Sequence, residues 1–104
     1  MNAEQIARSV GQTWDSSIVP TLEKYIRIPN QSPLFDPDWK RNGHMHQAIT
    51  LARAWVEQQS VPGLRIETHE IDGRTPLLFM EIDGDSSSTV LMYGHLDKIG
   101  RAHV

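Results

Sequence analysis

Thr89-Val90-Leu91-Met92-Tyr93-Gly94 is the feature that most restricts the fold of this chain. The run has no charged residue and no polar alternation, so as a strand it must be covered on both faces. Strands of that kind lie inside sheets flanked by helices. A chain that contains one is therefore expected to build a layered α/β structure, with this run as a central strand.

The preceding segments supply the other pieces of such a structure. Ile6, Val10, Trp14, Ile18, Leu22, Tyr25 and Ile26 recur at the three-and-four spacing of one helical face, predicting helix over residues 4–28. Pro20 should kink that helix or divide it, with the second part beginning near Val19. Ile28-Pro29 should end it, because a residue before proline is pushed out of the α region. Residues 29–43 hold Pro29, Pro33 and Pro37 without any period and read as a long ordered loop, in which Phe35 and Trp39 argue for docking onto something. A second helix is expected over about 43–59, with Asn42 as N-cap and Met45, Ala48, Ile49, Ala52, Trp55 and Val56 as its buried stripe.

Strands are expected next. Leu64–Ile71 alternates with a poor face assignment, as an edge or partly exposed strand would. Asp72-Gly73 makes a turn, and Pro76–Asp83 is more continuously apolar. Gly84 to Ser88 then leads to the run at Thr89. Two helices followed by about three strands of a mixed sheet, with at least one hairpin, give an α/β class.

Composition closes off several functions. With 104 residues the chain offers one domain or part of one. Its 38% apolar and 22% charged residues are a globular balance. A net charge of −3 with scattered Lys and Arg gives no footprint for nucleic acid. No apolar run is long enough for a membrane span, and Met1-Asn2-Ala3-Glu4-Gln5 does not open a secretory signal. Cysteine is absent, which removes disulfides, thiolate chemistry and Cys-ligated zinc and is compatible with a cytoplasmic setting. Chemistry must rest on His, Asp, Glu, Ser, Tyr or a metal.

The apolar run leads directly into Gly94-His95-Leu96-Asp97-Lys98. In open α/β sheets, ligands bind beyond the carboxyl ends of strands, and Gly94 leaves room for close approach to the backbone. In extended chain His95 and Asp97 share a face, with Cα atoms about 6.6 Å apart. A neutral imidazole is a common zinc ligand, and a carboxylate on its other nitrogen fixes tautomer and orientation. This places His95 on a metal and Asp97 behind it; Asp97 as a direct ligand would require the chain to curl. H-x-D by itself reads first as a strand-end histidine and a solvated aspartate, and the apolar strand and the glycine bring the metal reading level with that one.

Val90 to Lys98, apolar strand then G-H-x-D, resembles the first metal motif of the two-metal amidohydrolases that include carboxypeptidase G, carnosinase-type dipeptidases, aminoacylase and succinyl-diaminopimelate desuccinylase. Leu22-x-x-Tyr25-Ile26-x-Ile28-Pro29-Asn30-x-Ser32-Pro33 resembles the opening helix and loop of that family, and the similarity covers about residues 10–98. The resemblance implies a partial three-layer α/β/α zinc-exopeptidase catalytic domain over residues 1–98. It implies a metal-dependent hydrolase of peptide or amide bonds acting on small peptides or N-acyl amino acids, with homo-oligomers possible for such an enzyme. His95 would ligate one of two zinc or similar divalent ions, and Asp97 would be the catalytic residue that orients it.

The resemblance has a boundary. After Lys98 the family usually continues with Gln-Pro or a similar pair, whereas Ile99-Gly100-Arg101-Ala102-His103-Val104 is foreign to the pattern and reads as a tail left by a premature stop after a frameshift, a truncated reading frame or a cloning artefact, with a natural ending as the lesser reading. The family's remaining metal ligands and its general base have no counterparts here, and catalytic zinc normally takes three protein ligands. The chain by itself is therefore expected to be catalytically inactive, and the run at Thr89 to expose an apolar edge that favours association. Two other readings stand beside this one: a non-catalytic α/β binding or assembly module, and a nonfunctional truncated product.

The remaining polar and aromatic residues carry plainer expectations. His44, His46 and His69 read as surface residues, and Asp36 and Asp38 as turn formers. Trp14, Trp39 and Trp55 fit packing, and Ser86, Ser87 and Ser88 fit a linker. Lys98 is assigned no role.

Overall fold

The computed structural model describes residues 2–99. Helix α1 spans Ala3–Thr13, a π turn Trp14–Ile18, α2 Val19–Arg27, a short α3 Trp39–Asn42, and α4 His44–Glu57; strands β1 and β2 span Leu64–His69 and Leu77–Ile82. Among the described residues no helix is long and apolar enough to cross a membrane.

Local chemistry sets the helix boundaries. Asn2 Oδ1 accepts from the Gln5 amide while Gln5 Oε1 accepts from the Asn2 amide, a reciprocal cap that opens α1. Pro20 occupies the first turn of α2, where its missing N–H costs little, and the π turn before it absorbs the change in hydrogen-bond pattern. The expected division near Val19 is thus present without a break in the helical path. Ile28 is extended ahead of Pro29 and ends α2. At α4 the cap position is Gly43 rather than Asn42. Gly43 adopts φ 76°, and Asn42 Oδ1 accepts from the His44 amide at 3.1 Å from just outside the cap position.

Helix α4 packs against α2, α3 and β2. Its Met45, Ala48 and Ile49 are the buried apolar side chains among the described residues. The apolar stripe that runs from α1 into the π turn has no such cover among the described residues: Ile6, Val10 and Trp14 are exposed. Of the two large aromatics in the loop, Trp39 is half-buried whereas Phe35 remains exposed, as does Leu34.

β1 and β2 form an antiparallel pair from Leu64↔Ile82 to His69↔Leu77. Leu64, Ile66 and Thr68 are half-buried while Arg65, Glu67 and His69 are exposed, the alternation of a partly covered strand. Arg65 binds Glu81 at 2.6 Å across the pair.

The expectation of a third, central strand is corrected. Thr89–Gly94 joins no ladder, and Val90, Leu91 and Met92 are each 87% exposed, with Tyr93 at 88%. An apolar run is buried on two faces only when strands pair beside it and layers cover it. The described residues offer it neither. The sheet is therefore two-stranded and antiparallel rather than a mixed sheet of three, and the described fold is a set of helices with one hairpin. Of the expected tail at 99–104, only Ile99 falls within the described residues.

Candidate metal site

Residues 96–98 are fastened to the end of α2 and the loop that follows it. Lys98 N–H donates to the Asn30 carbonyl at 2.9 Å and Ser32 N–H to the Lys98 carbonyl at 2.8 Å, which makes a short parallel bridge between Gln31 and Lys98. The Leu96 carbonyl accepts from the Tyr25 hydroxyl and, at 2.8 Å, from Asn30 Nδ2. Lys98 Nζ donates to the Tyr25 carbonyl at 2.9 Å, to Asn30 Oδ1 at 2.6 Å and to the Ile28 carbonyl, and lies 4.1 Å from the centroid of the Tyr25 ring. The main-chain acceptors are carbonyls at the C-terminus of α2, of which that of Tyr25 also accepts from the Ile28 amide at 3.1 Å, and a cation there is favoured by the helix dipole.

Asn30 is 1% exposed, and both ends of its amide are used within this network. Burial pushes the Lys98 ammonium below its ordinary range; three oxygen acceptors and an aromatic face act in the opposite sense and favour the charged form. Burial, and then the charge of Asp97, push the Tyr25 hydroxyl above its ordinary 10.0, partly offset by hydrogen bonding with Asn30.

Just before this anchor, His95 and Asp97 meet as expected. His95 Nδ1 lies 3.0 Å from Asp97 Oδ1 and 3.1 Å from the Asp97 carbonyl oxygen. With Nδ1 protonated the ring donates to these oxygens, and the Nε2 lone pair is left free. The His95 side chain is 61% exposed and that of Asp97 32% exposed, so the ring stands outward and its carboxylate partner is set deeper. An open cavity of about 280 Å³ lies beside the pair, lined by Gly94, His95 and Asp97 together with Met45, Ile49 and Leu78. Among the described residues no group of three or more His, Cys, Asp or Glu side chains could hold a metal ion. The pair thus brings together one imidazole and one carboxylate.

The other singled-out residues lie elsewhere. His44 is within 3.1 Å of Gln47, and His69 binds its neighbour Glu67 at 2.7 Å. His46 pairs with Glu70 at 2.5 Å, a contact across 24 residues that treating it as a lone surface residue did not foresee. Asp36 Oδ1 accepts from the Asp38 amide at 3.0 Å, the turn role expected of it. Trp55 Nε1 donates to Ser17 Oγ at 2.9 Å, tying α4 to the π turn.

What sequence reasoning missed is Tyr25, Asn30 and Lys98. The only available signal lay in their chemistry. A tyrosine on an apolar helical stripe needs a partner for its hydroxyl, and a lysine directly after a site needs a place for its ammonium. Set beside known proteins, the chain matches no family model and no curated protein.

Proposed function

We propose that this chain carries the first metal-binding segment of a metal-dependent hydrolase of peptide or amide bonds, acting on small peptides or N-acyl amino acids. The observation that supports it is the His95–Asp97 pair: an outward imidazole whose Nδ1 lies 3.0 Å from a carboxylate oxygen, which makes Nε2 the lone-pair nitrogen when Nδ1 carries the proton. That donor set suits zinc or a similar divalent ion, with His95 as ligand and Asp97 as the residue that holds the ring and raises its basicity. When bound, such an ion supplies an activated water and a polarised amide carbonyl. The exposed run Val90–Tyr93 fits the same reading, since it has the composition of an interior strand of a three-layer α/β/α domain. The cysteine-free composition fits a cytoplasmic setting.

The same exposed run favours a second reading, a non-catalytic module that pairs its apolar strand with another chain. A transplant separates the two. Residues 90–98 replace the first metal segment of a carboxypeptidase G-type enzyme, and zinc content and dipeptide or N-acyl amino acid turnover are measured. Retained zinc and turnover that collapse on His95→Ala support the hydrolase reading. A folded chimera without zinc would count against it. The 104-residue chain incubated with zinc is expected to show no turnover; metal-dependent turnover would contradict that expectation.

A further inference from the structure

We infer that Lys98 is a positioning residue for the His95–Asp97 pair, an inference that rests on the metal-site reading above. Asp97 sits between two clamped neighbours. On one side the Leu96 carbonyl is held by the Tyr25 hydroxyl and Asn30 Nδ2. On the other, Lys98 is held through its own main chain by Asn30 and Ser32 and through its side chain by three oxygens. Among the described residues Asp97 has no comparable anchor of its own, and its carboxylate is directed to His95. Its direction is therefore set by the flanking residues, and the Lys98 ammonium has the largest number of side-chain bonds among those flanks.

The cradle is specific in shape. Three acceptors, the Tyr25 and Ile28 carbonyls and Asn30 Oδ1, match the three protons of an ammonium, and the Tyr25 ring closes one face at 4.1 Å. A planar guanidinium cannot present three donors around one point in this way, so arginine is a poor substitute. By fixing Asp97, the ammonium fixes the His95 tautomer: Nδ1–H is retained by the carboxylate and Nε2 is kept as a lone pair. Lys98 touches no reacting atom in this role and acts through Asp97.

The experiment uses the full chain labelled with ¹⁵N at histidine, comparing wild type with Lys98→Met and Lys98→Arg at a pH where imidazoles are neutral. Long-range proton–nitrogen correlations read the His95 tautomer, with His69 as an internal reference. Wild type is expected to show mainly Nδ1–H at His95. Both variants are expected to lose that majority, with His69 unchanged and His95 zinc affinity about tenfold weaker. An unchanged His95 tautomer in folded Lys98→Met overturns the role of Lys98 and leaves the metal reading intact. A folded chimera carrying residues 90–98 that holds no zinc, with the tautomer effect present, overturns the metal reading and leaves the positioning role supported. If both variants fail to fold, wild type decides: slow exchange of the Lys98 ammonium protons supports the inference, and exchange as fast as at Lys24 and Lys40 overturns it.

Discussion

Asn30 Nδ2 donates to the Leu96 carbonyl at 2.8 Å across 66 residues of sequence, and the amide's other end accepts from Lys98 Nζ at 2.6 Å. One buried side chain thus holds both neighbours of Asp97. Asn30→Leu keeps the branched outline with methyls in place of the polar ends and removes both bonds, leaving an ammonium short of one acceptor and a carbonyl short of one donor. The expected loss is about 3 kcal/mol, the range for a buried bond to a charged group together with a neutral one. Urea unfolding measures it through a lower midpoint at unchanged slope. Asn30→Asp tests the other half of the amide. It restores a partner for Lys98 but sets an oxygen against the Leu96 carbonyl, so it is expected to recover only part of the loss.

The Tyr25 hydroxyl, pushed above 10.0 in the folded chain, carries a pH prediction with a definite sign. Between 10.0 and the folded value, the unfolded chain has released this proton while the folded chain keeps it. The contribution of Tyr25 is therefore complete below 10.0 and is lost as pH rises through the folded value. Lys98 acts in the opposite sense. Burial lowers its ammonium, so the folded chain releases that proton first, and stability rises with pH across the window ending at 10.5. Thermal midpoints are expected to fall on the alkaline side, and Tyr25→Phe is expected to abolish that fall while costing about 1 kcal/mol below it for the lost bond to Leu96. A variant whose alkaline limb matches wild type would remove Tyr25 from the account.

These residues also show how far the sequence could be read. Pro20 and the Ile28-Pro29 step placed the helix boundaries because proline acts on its immediate neighbours, and the alternation of Leu64, Ile66 and Thr68 marked one strand for the same local reason. The His95–Asp97 contact was legible because two residues in extended chain share a face whatever surrounds them. The cradle at Lys98 was not, since it joins residues 68 to 73 positions apart and depends on where a helix happens to end. Thr89–Gly94 went the other way. Its composition describes the environment the run needs, whereas its observed state depends on which neighbours are present.

Gly43 joins the end of α3 to the start of α4 at φ 76°, and a Cβ placed there would meet nothing within 4 Å. Gly43→Ala therefore isolates the backbone term and is expected to destabilise by about 1 kcal/mol, the left-handed penalty for a residue with a side chain. Gly84 supplies the control. It too has open space around a Cβ and has no left-handed φ, so Gly84→Ala is expected to be neutral or slightly stabilising. Equal midpoints for the two variants in chemical denaturation would contradict the argument.

The exposed run at Val90–Tyr93 should govern how the chain behaves at high concentration. Four consecutive large side chains, each 87% or 88% exposed, lie on a stretch of backbone that joins no ladder. A second copy can offer the same stretch, so that both apolar surface and main-chain hydrogen bonds are satisfied by association. Sedimentation velocity is expected to show a concentration-dependent shift from monomer to larger species. Val90→Lys together with Met92→Lys places two charges on one side of the extended run, where natural edge strands use lysine to prevent pairing, and is expected to weaken association at least about tenfold. Both positions are exposed, so the thermal midpoint of the monomer should change by no more than a surface substitution allows, about 0.5 kcal/mol. A wild-type chain that sediments as monomer at every concentration would show that this run is tolerated in water, and the lysine pair would then have nothing to suppress.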